Sequence, residues 1–506
     1  MRAVTTLEHA ARSAPVAARP GRRPIDLAWA SLTALVPAIV TLVGKMGAVD
    51  LAYHVRTGDM ILSSGSIPRV DTFTFTVYGR PWLDQQWLAQ VVFAWFFRYG
   101  GWATLAALQA TLVAATFFPI YLACRAAGAQ PRTASLLTIG GFVVASPALA
   151  MRPQLLALPL FAMTLWVLAG RAAHPGRLWL VPVFTALCSN VHGSFALFPL
   201  VVGIAWLDDL RTRSPLHWRT FTVGALSLLA TLVNPFGPRV WSYAYDLSTN
   251  PVIRKTISEW APVSLAQISG WFMVGSGLLV AGYFARRTRP VPWIALLTLA
   301  VFFVLAMAAQ RAMVWWGLVT PVVMAGVLTE RAAAHHDPAD AIDAGPERAG
   351  GAPREPALPA IAIIATMLIG ILILLPWWRG PGFQPYLNAA PPGLTKAVQG
   401  LPPGTRLFAH QPWGSWFEYA APDVPVYVDS RIEIVPAQIW KDYSQVGFAG
   451  ADWRQVLQRY DVQAIVAAST WPLIPDLEAD PEWRVAYRDD DGVLLVRRGS
   501  DTAATG

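Results

Sequence analysis

Charge is scarce in this chain. Only 14% of its 506 residues are Asp, Glu, Lys or Arg, against 55% that are hydrophobic. Soluble domains run at about a quarter charged, so an ordinary soluble protein is excluded over most of the length and lipid is implied. Cysteine is nearly absent. Cys124 and Cys188 both lie in apolar stretches, which excludes a disulfide framework and a redox motif. The sequence has no zinc-type ligand spacing, no nucleic-acid motif and no internal repeat. The net charge of +8 is carried in short basic runs beside apolar segments, so it reads as membrane orientation and not as nucleic-acid binding. Trp, by contrast, is abundant at 23, as expected where rings anchor helices at the headgroup level.

What remains is a set of apolar runs. Arg2, Arg12, Arg19, Arg22 and Arg23 precede the first, at 27–44. No small-x-small cleavage site follows it cleanly, so it is expected to stay as a first membrane helix. Apolar segments follow near 102–124, 134–150, 155–170, 178–191, 193–207, 220–233, 270–285, 291–309, 312–328 and 357–378. Together they predict a polytopic α-helical protein with about 11 transmembrane helices, although several runs are short for a full crossing. Positive charge supports the count, because cytoplasmic loops carry the Lys/Arg excess. The basic loops hold Arg125 and Arg132, Arg171 and Arg177, Arg211, Arg213 and Arg219, and Arg286, Arg287 and Arg289. These alternate with non-basic loops in a chain that starts inside. Were 178–191 and 193–207 one helix, two basic loops would face opposite sides, so two short helices meeting outside fit better.

The organisation expected is therefore a cytoplasmic tail at 1–25, a membrane domain at 26–379 and an extracytoplasmic α/β domain at 380–506. The membrane domain would hold a large outer loop at 48–101 and a flexible cytoplasmic linker at 330–356. The α/β reading of the tail rests on strand-like runs at 405–409, 424–429, 464–468 and 493–497, with helical patterns at 394–399 and 453–460. A bacterial cell membrane, with the N-terminus cytoplasmic, is the expected location. His335 and His336 in the linker are a weak metal pattern.

Polar residues at the outer helix ends form the candidate site. Asp50 ends the first helix, and His54 shares its face if the segment is helical. Asp84 follows in the outer loop, and 87–99 reads as an amphipathic stretch able to lie on the membrane surface. The other outer ends bring Arg152 and Gln154, His192, Asn234 in N-P-F-G, Glu259, and Arg311. Each has an ordinary reading alone, as a cap, a turn or a headgroup contact. Jointly they are harder to dismiss, because ionisable groups at membrane depth are costly and usually face a cavity. Arg and His suit an anionic head such as phosphate. Asp50 or Glu259 would take a proton or hold a divalent metal, with Mg or Mn the candidates.

The outer-loop run D-L-A-Y-H-V-R-T-G-D-M-I-L-S-S-G-S-I-P-R-V-D-T-F-T-F-T, then P-W-L-D-Q-Q-W-L, resembles the first outer loop of bacterial membrane proteins in the GT-C glycosyltransferase superfamily. R-P-Q-L, N-V-H-G, N-P-F-G, S-E-W-A-P, W-G-S-W-F-E-Y and V-Y-V-D-S-R resemble the same group, and the likeness covers about 27–498. It implies a transferase that takes a sugar from a polyprenyl-phosphate donor on the outer face and passes it to an envelope glycan, lipid or protein. It places Asp50 where the family's catalytic acid stands, with His54 and Glu259 as further catalytic candidates. Asp84, Arg152, Gln154, His192, Asn234 and Arg311 would bind substrate. Where related sequences often carry His-Glu before the Trp, this chain has Gln85-Gln86, so one acid is missing and a metal site there is in doubt. A non-catalytic transporter or assembly scaffold of the same fold is the alternative. A transporter is expected to show mid-span charges and inverted repeats, and neither is evident.

Overall fold

The first apolar run folds as α1 (Pro24–Val43), started by a proline whose fixed φ suits the first helical turn. This is seen in a computed structural model that describes residues 23–250, 257–333 and 357–499. Residues 1–22, most of the linker with His335 and His336, and residues 500–506 lie outside the described residues. The outer loop opens with α2 (Ala48–Ser64), and α3 (Trp87–Ala126) follows it. Then come α4 (Pro131–Ala145), α5 (Pro153–Ala169), α6 (Leu180–Ser189), α7 (Leu197–Arg211), α8 (His217–Ala230) and α9 (Arg239–Thr249). The last bundle helices are α10 (Ile268–Ala285), α11 (Trp293–Ala308), α12 (Met313–Ala333) and α13 (Leu358–Ile373).

Among the described residues, five segments are long and apolar enough to cross a membrane: Pro24–Val43, Trp87–Ala126, Gly193–Arg211, Ile268–Ala285 and Gln310–Thr329. Pro153–Ala169, Trp293–Ala308 and Leu358–Ile373 are apolar but shorter. The chain is thus a multi-pass membrane protein. Helix α6, with 10 residues, rises only about 15 Å, half of a hydrocarbon core. It and α7 are separate helices, and the turn between them carries His192.

Helix α3 is the hub and packs against α1, α2, α4, α5 and α12. It breaks at Gly100–Gly101, where Gly101 takes φ 60°, a conformation that favours glycine. The break separates the 87–99 arm, with Trp95 and Tyr99 exposed, from the apolar part. Helix α2 lies directly on the arm: a Cβ on Gly58 would fall 1.9 Å from the Gln90 carbonyl oxygen. Helices α4 and α12 cross as closely. A Cβ on Gly141 would meet the Gly317 oxygen at 2.2 Å, the small-residue approach typical of membrane helices.

The tail does not stand apart from the bundle. Its sheet runs β3 (Leu407–Ala409), β4 (Ala464–Ala468), β6 (Gly492–Arg497), β5 (Trp483–Arg488), with β3 and β4 parallel and the rest antiparallel. One apolar core continues from the bundle through the outer loop into this sheet. Residues 424–429, expected as a strand, make only single bridges, from Val426 to Leu407 and to Thr74 of the outer loop. Phe75 N–H donates to the Val426 oxygen at 3.1 Å and Thr76 Oγ1 to the Tyr427 oxygen at 2.6 Å. Strand β1 (Met46–Gly47) pairs in parallel with β2 (Leu387–Asn388), tying the end of α1 to the start of the tail.

Arg431 is the charged centre of this junction. It is 1% exposed, pairs with Asp71 of the outer loop at 2.5 Å and with Asp429, and lies 3.8 Å from Glu418. Its guanidinium sits 4.7 Å from the Phe73 ring centroid and 4.6 Å from that of Trp82. Arg56 adds a bond to the Glu418 carbonyl. The motifs P-R-V-D-T-F, W-G-S-W-F-E-Y and D-S-R, far apart in sequence, thus meet in one buried network. The tail's aromatics belong largely to the core: Trp413 and Trp416 are 8% and 1% exposed.

Candidate active site

A cavity of about 340 Å³ lies where the bundle meets the tail. Asp50 reaches it from the first turn of α2, and His54 follows one turn later on the same face. Arg152 and Gln154 come from the start of α5, whose Pro153 occupies the first helical position. His192 comes from the turn between α6 and α7, Arg311 from the short turn before α12, and Glu259 with Trp260 from a one-turn helix. Seven of the nine expected residues therefore line one cavity.

The other two do not. Asn234 makes a local turn: its Oδ1 accepts the Phe236 N–H at 2.8 Å and its Nδ2 donates to the Thr231 oxygen at 2.8 Å. That is the ordinary work of Asn in N-P-F-G. Asp84 is 3% exposed behind the cavity wall, where Gln90 donates to it at 2.8 Å. Burial pushes its carboxyl up to about 8, so near neutral pH it is protonated. Its neighbour Gln85 is spent on the Ser189 oxygen at 2.8 Å, while Gln86 lines the cavity.

Charge in the cavity is organised around two guanidiniums. Arg152 pairs with Asp50 at 2.9 Å and with Glu259 on its other side. Asp50 first, then Glu259, raise the pKa of Arg152 further. Arg311 is different. Among the described residues no acid pairs with it. It lies 4.6 Å over the Trp260 ring and 3.2 Å from His192 Nε2, and Gln154 donates to its backbone oxygen at 3.3 Å. A guanidinium offers only donors, so it donates toward His192 Nε2, while on the other side of the ring Nδ1 lies 3.0 Å from Ser194 Oγ and accepts the Ser194 N–H at 3.1 Å. Burial, then Arg311, lower the pKa of His192 well below its ordinary value, consistent with a neutral ring. Burial also pushes His54 down to about 3.

The tail supplies a wall that sequence reading missed. Gln411, Ser430, Ile432 and Glu433 line the cavity beside Tyr243 and Leu247 of α9. Tyr243 donates to Glu433 Oε1 at 3.2 Å. Burial pushes the Glu433 carboxyl up to about 7. The only sequence signal for it was proximity to D-S-R, two residues before.

A divalent cation does not fit this donor set. The described residues hold no group of three His, Cys, Asp or Glu arranged to share an ion. Asp50 and Glu259, the two carboxylates named for that role, are both engaged by Arg152. A metal ion would have to displace that guanidinium from both.

No family model matches the chain, and no curated protein matches its sequence. Solved structures do match. The oligosaccharyltransferase AglB from Archaeoglobus fulgidus, in complex with an inhibitory peptide and a dolichol-phosphate, is 14% identical. It aligns with a TM-score of 0.56 over 86% of this chain and 69% of that one. ArnT from Cupriavidus metallidurans, bound to undecaprenyl phosphate, is 15% identical with a TM-score of 0.51 over 94% of this chain and 98% of that one. At that identity the likeness speaks for architecture alone: the chain shares the fold of these two proteins.

Proposed function

We propose that the chain is a membrane glycosyltransferase that takes a sugar from a polyprenyl-phosphate donor and passes it to an acceptor on the outer face of a bacterial cell membrane. The observation that carries this reading is the pairing of a GT-C-like fold with a cavity in which, among the described residues, Arg311 forms no ion pair. A phosphate is the ligand such a group suits, since charge-assisted bonds from Arg to phosphate are strong and directional. The neighbours support the same class of donor, because AglB was solved with a dolichol-phosphate and ArnT with undecaprenyl phosphate. A groove of about 820 Å³ between α4, α10 and α12 suits the lipid chain. Leu137, Val144, Phe272, Trp316 and Leu328 line it. Trp316 lies five residues past Arg311, in the first turn of α12.

The reaction is a substitution at the sugar's anomeric carbon. An acceptor hydroxyl forms a new C–O bond there, the bond to the lipid phosphate breaks, and its electron pair leaves with the phosphate. Arg311, with His192 held neutral beside it, meets the charge that grows on the departing oxygen, and Arg152 adds a second guanidinium. Asp50 receives the acceptor's proton. It stands free for this once the phosphate competes for Arg152, which in the resting cavity holds both Asp50 and Glu259. His54 and Glu259 orient the groups around it. In the full topology about 11 helices cross, the N-terminus is cytoplasmic and residues 380–506 are extracytoplasmic.

The test is sugar transfer to surface glycans in cells carrying Asp50→Asn. Loss of transfer at normal protein level is expected, and unchanged transfer would remove Asp50 as the base.

A further inference from the structure

The cavity has two unlike walls. The bundle wall carries Arg311, and Arg152 with the two acids paired to it, Asp50 and Glu259. The wall built by the tail and α9 carries Glu433, Tyr243, Ser430 and Gln411, with Gln86 at its edge. Among the described residues Glu433 makes no ion pair. Arg431, only two residues away, turns the other way and is spent on Asp71 and Asp429. An acid enclosed by protein without a cation is costly to keep. Among the described residues Tyr243 is its one side-chain hydrogen-bond partner, and the Gln86 side chain has none.

These features select a ligand chemistry. A carboxylate on this wall repels an anion, so a phosphate belongs on the opposite wall with Arg311. The lining is polar, and the apolar groove opens elsewhere, between α4, α10 and α12, so a lipid chain is not what this wall accommodates. A neutral polyol fits. Its hydroxyls donate to a carboxylate and exchange bonds with the amides of Gln86 and Gln411, and the Tyr243 ring offers an apolar face.

We propose that Glu433, positioned by Tyr243, binds the acceptor, and that the acceptor is a neutral carbohydrate held between the tail wall and Asp50. This rests on the transferase reading above, and assigns within it which wall takes which substrate. The tail is then part of the site: the ion pairs that dock Arg431 on the outer loop also set Glu433 opposite Asp50.

The proposal carries a pH dependence. Burial pushes Glu433 up to about 7, and the groups that act on it are Arg431 and Asp429 on its own segment and Tyr243 from α9. Tyr53 of α2 and Asp84 of the outer loop also feel its charge, and Asp50 lies beyond Tyr53. The ionised form accepts hydroxyl bonds at both oxygens, so acceptor binding rises as pH increases through about 7.

The experiment uses the full chain in lipid nanodiscs. Binding of D-mannose, D-galactose, D-glucose and D-arabinose is followed by saturation-transfer NMR, and binding of undecaprenyl phosphate is followed separately. Saturable binding of at least one sugar is expected. Glu433→Gln should weaken it about tenfold, the loss of one charge-assisted bond, and remove its pH dependence. Tyr243→Phe should weaken it less, and both variants should keep the affinity for undecaprenyl phosphate. Arg311→Gln should do the reverse. No sugar binding by the native chain, equal sugar binding by Glu433→Gln, or loss of both ligands in that variant would each overturn the proposal. Native sugar binding without any binding of undecaprenyl phosphate would overturn the donor reading instead and leave this subsite standing.

Discussion

Replacing Arg431 with Met should unseat the tail. The substitution keeps much of the aliphatic volume between Phe73 and Trp82 but leaves Asp71, Asp429 and Glu418 facing one another without a cation. Breaking a buried ion pair by removing one partner costs about 3–5 kcal/mol, because the remaining charge stays desolvated. Burial already pushes Glu418 well above the ordinary carboxylate range, with Asp429 adding to the push, and at 3.8 Å it stands farther from Arg431 than the two Asp carboxylates do. Asp71 and Asp429 are the acids that matter. A second substitution, Asp71→Asn, should therefore recover part of the loss, a coupling of roughly 0.5–3 kcal/mol for groups in one network. Urea unfolding of the full-length protein in detergent, read by Trp fluorescence, suits this site because Trp82, Trp413 and Trp416 are all buried. Arg431→Met with native stability, or a double variant no more stable than the single one, would refute the view that this network docks the tail.

Three further outcomes follow from the packing and the buried acids. Gly141→Leu places a side chain against the Gly317 backbone, where even a Cβ would approach to 2.2 Å. It should destabilise the α4–α12 crossing by about 1–3 kcal/mol, measured by the same unfolding assay. Gly58→Ala should displace α2 from Gln90, and with it Asp50 and His54, lowering transfer more than undecaprenyl phosphate binding. Asp84 binds its proton more tightly when folded, at about 8, than in the unfolded chain, where a carboxyl titrates near its ordinary value. Its burial therefore costs nothing at acid pH and progressively more as pH rises from about 4 to about 8. Asp84→Asn should flatten that part of the stability profile, and an unchanged profile would show that Asp84 is not protonated.

The bundle end of the site was legible in the sequence because apolar runs fix where helices end. Arg152, His192 and Arg311 each sit at such an end, whereas Asp50 falls in the first turn of α2, past the end of α1, and Glu259 in a one-turn helix of its own; the fold gathers all five. Two residues misled. Asn234 belongs to a turn whose own hydrogen bonds absorb it, and Asp84 points into protein behind the wall. The tail was harder to read. Residues 424–429 look like a strand, but their partners are single residues of the outer loop and of β3, and no local pattern announces a distant bridge. Strand β5 alternates poorly, because most of W-R-V-A-Y-R is exposed on an edge. Glu433 carries no pattern at all. Its place depends on Arg431 being drawn to Asp71, 360 residues away in sequence.

The central claim is that Arg311 and Arg152 form a lipid-phosphate site at the tail end of the bundle. The measurement that tests it most directly is the affinity of the full chain for undecaprenyl phosphate, native against Arg311→Gln, with Arg211→Gln as a control that lies outside the cavity. Arg311→Gln is expected to bind about tenfold or more weakly, the loss of a charge-assisted bond to phosphate, while Arg211→Gln binds as the native chain does. Native affinity in Arg311→Gln, or an equal loss in both variants, would contradict it.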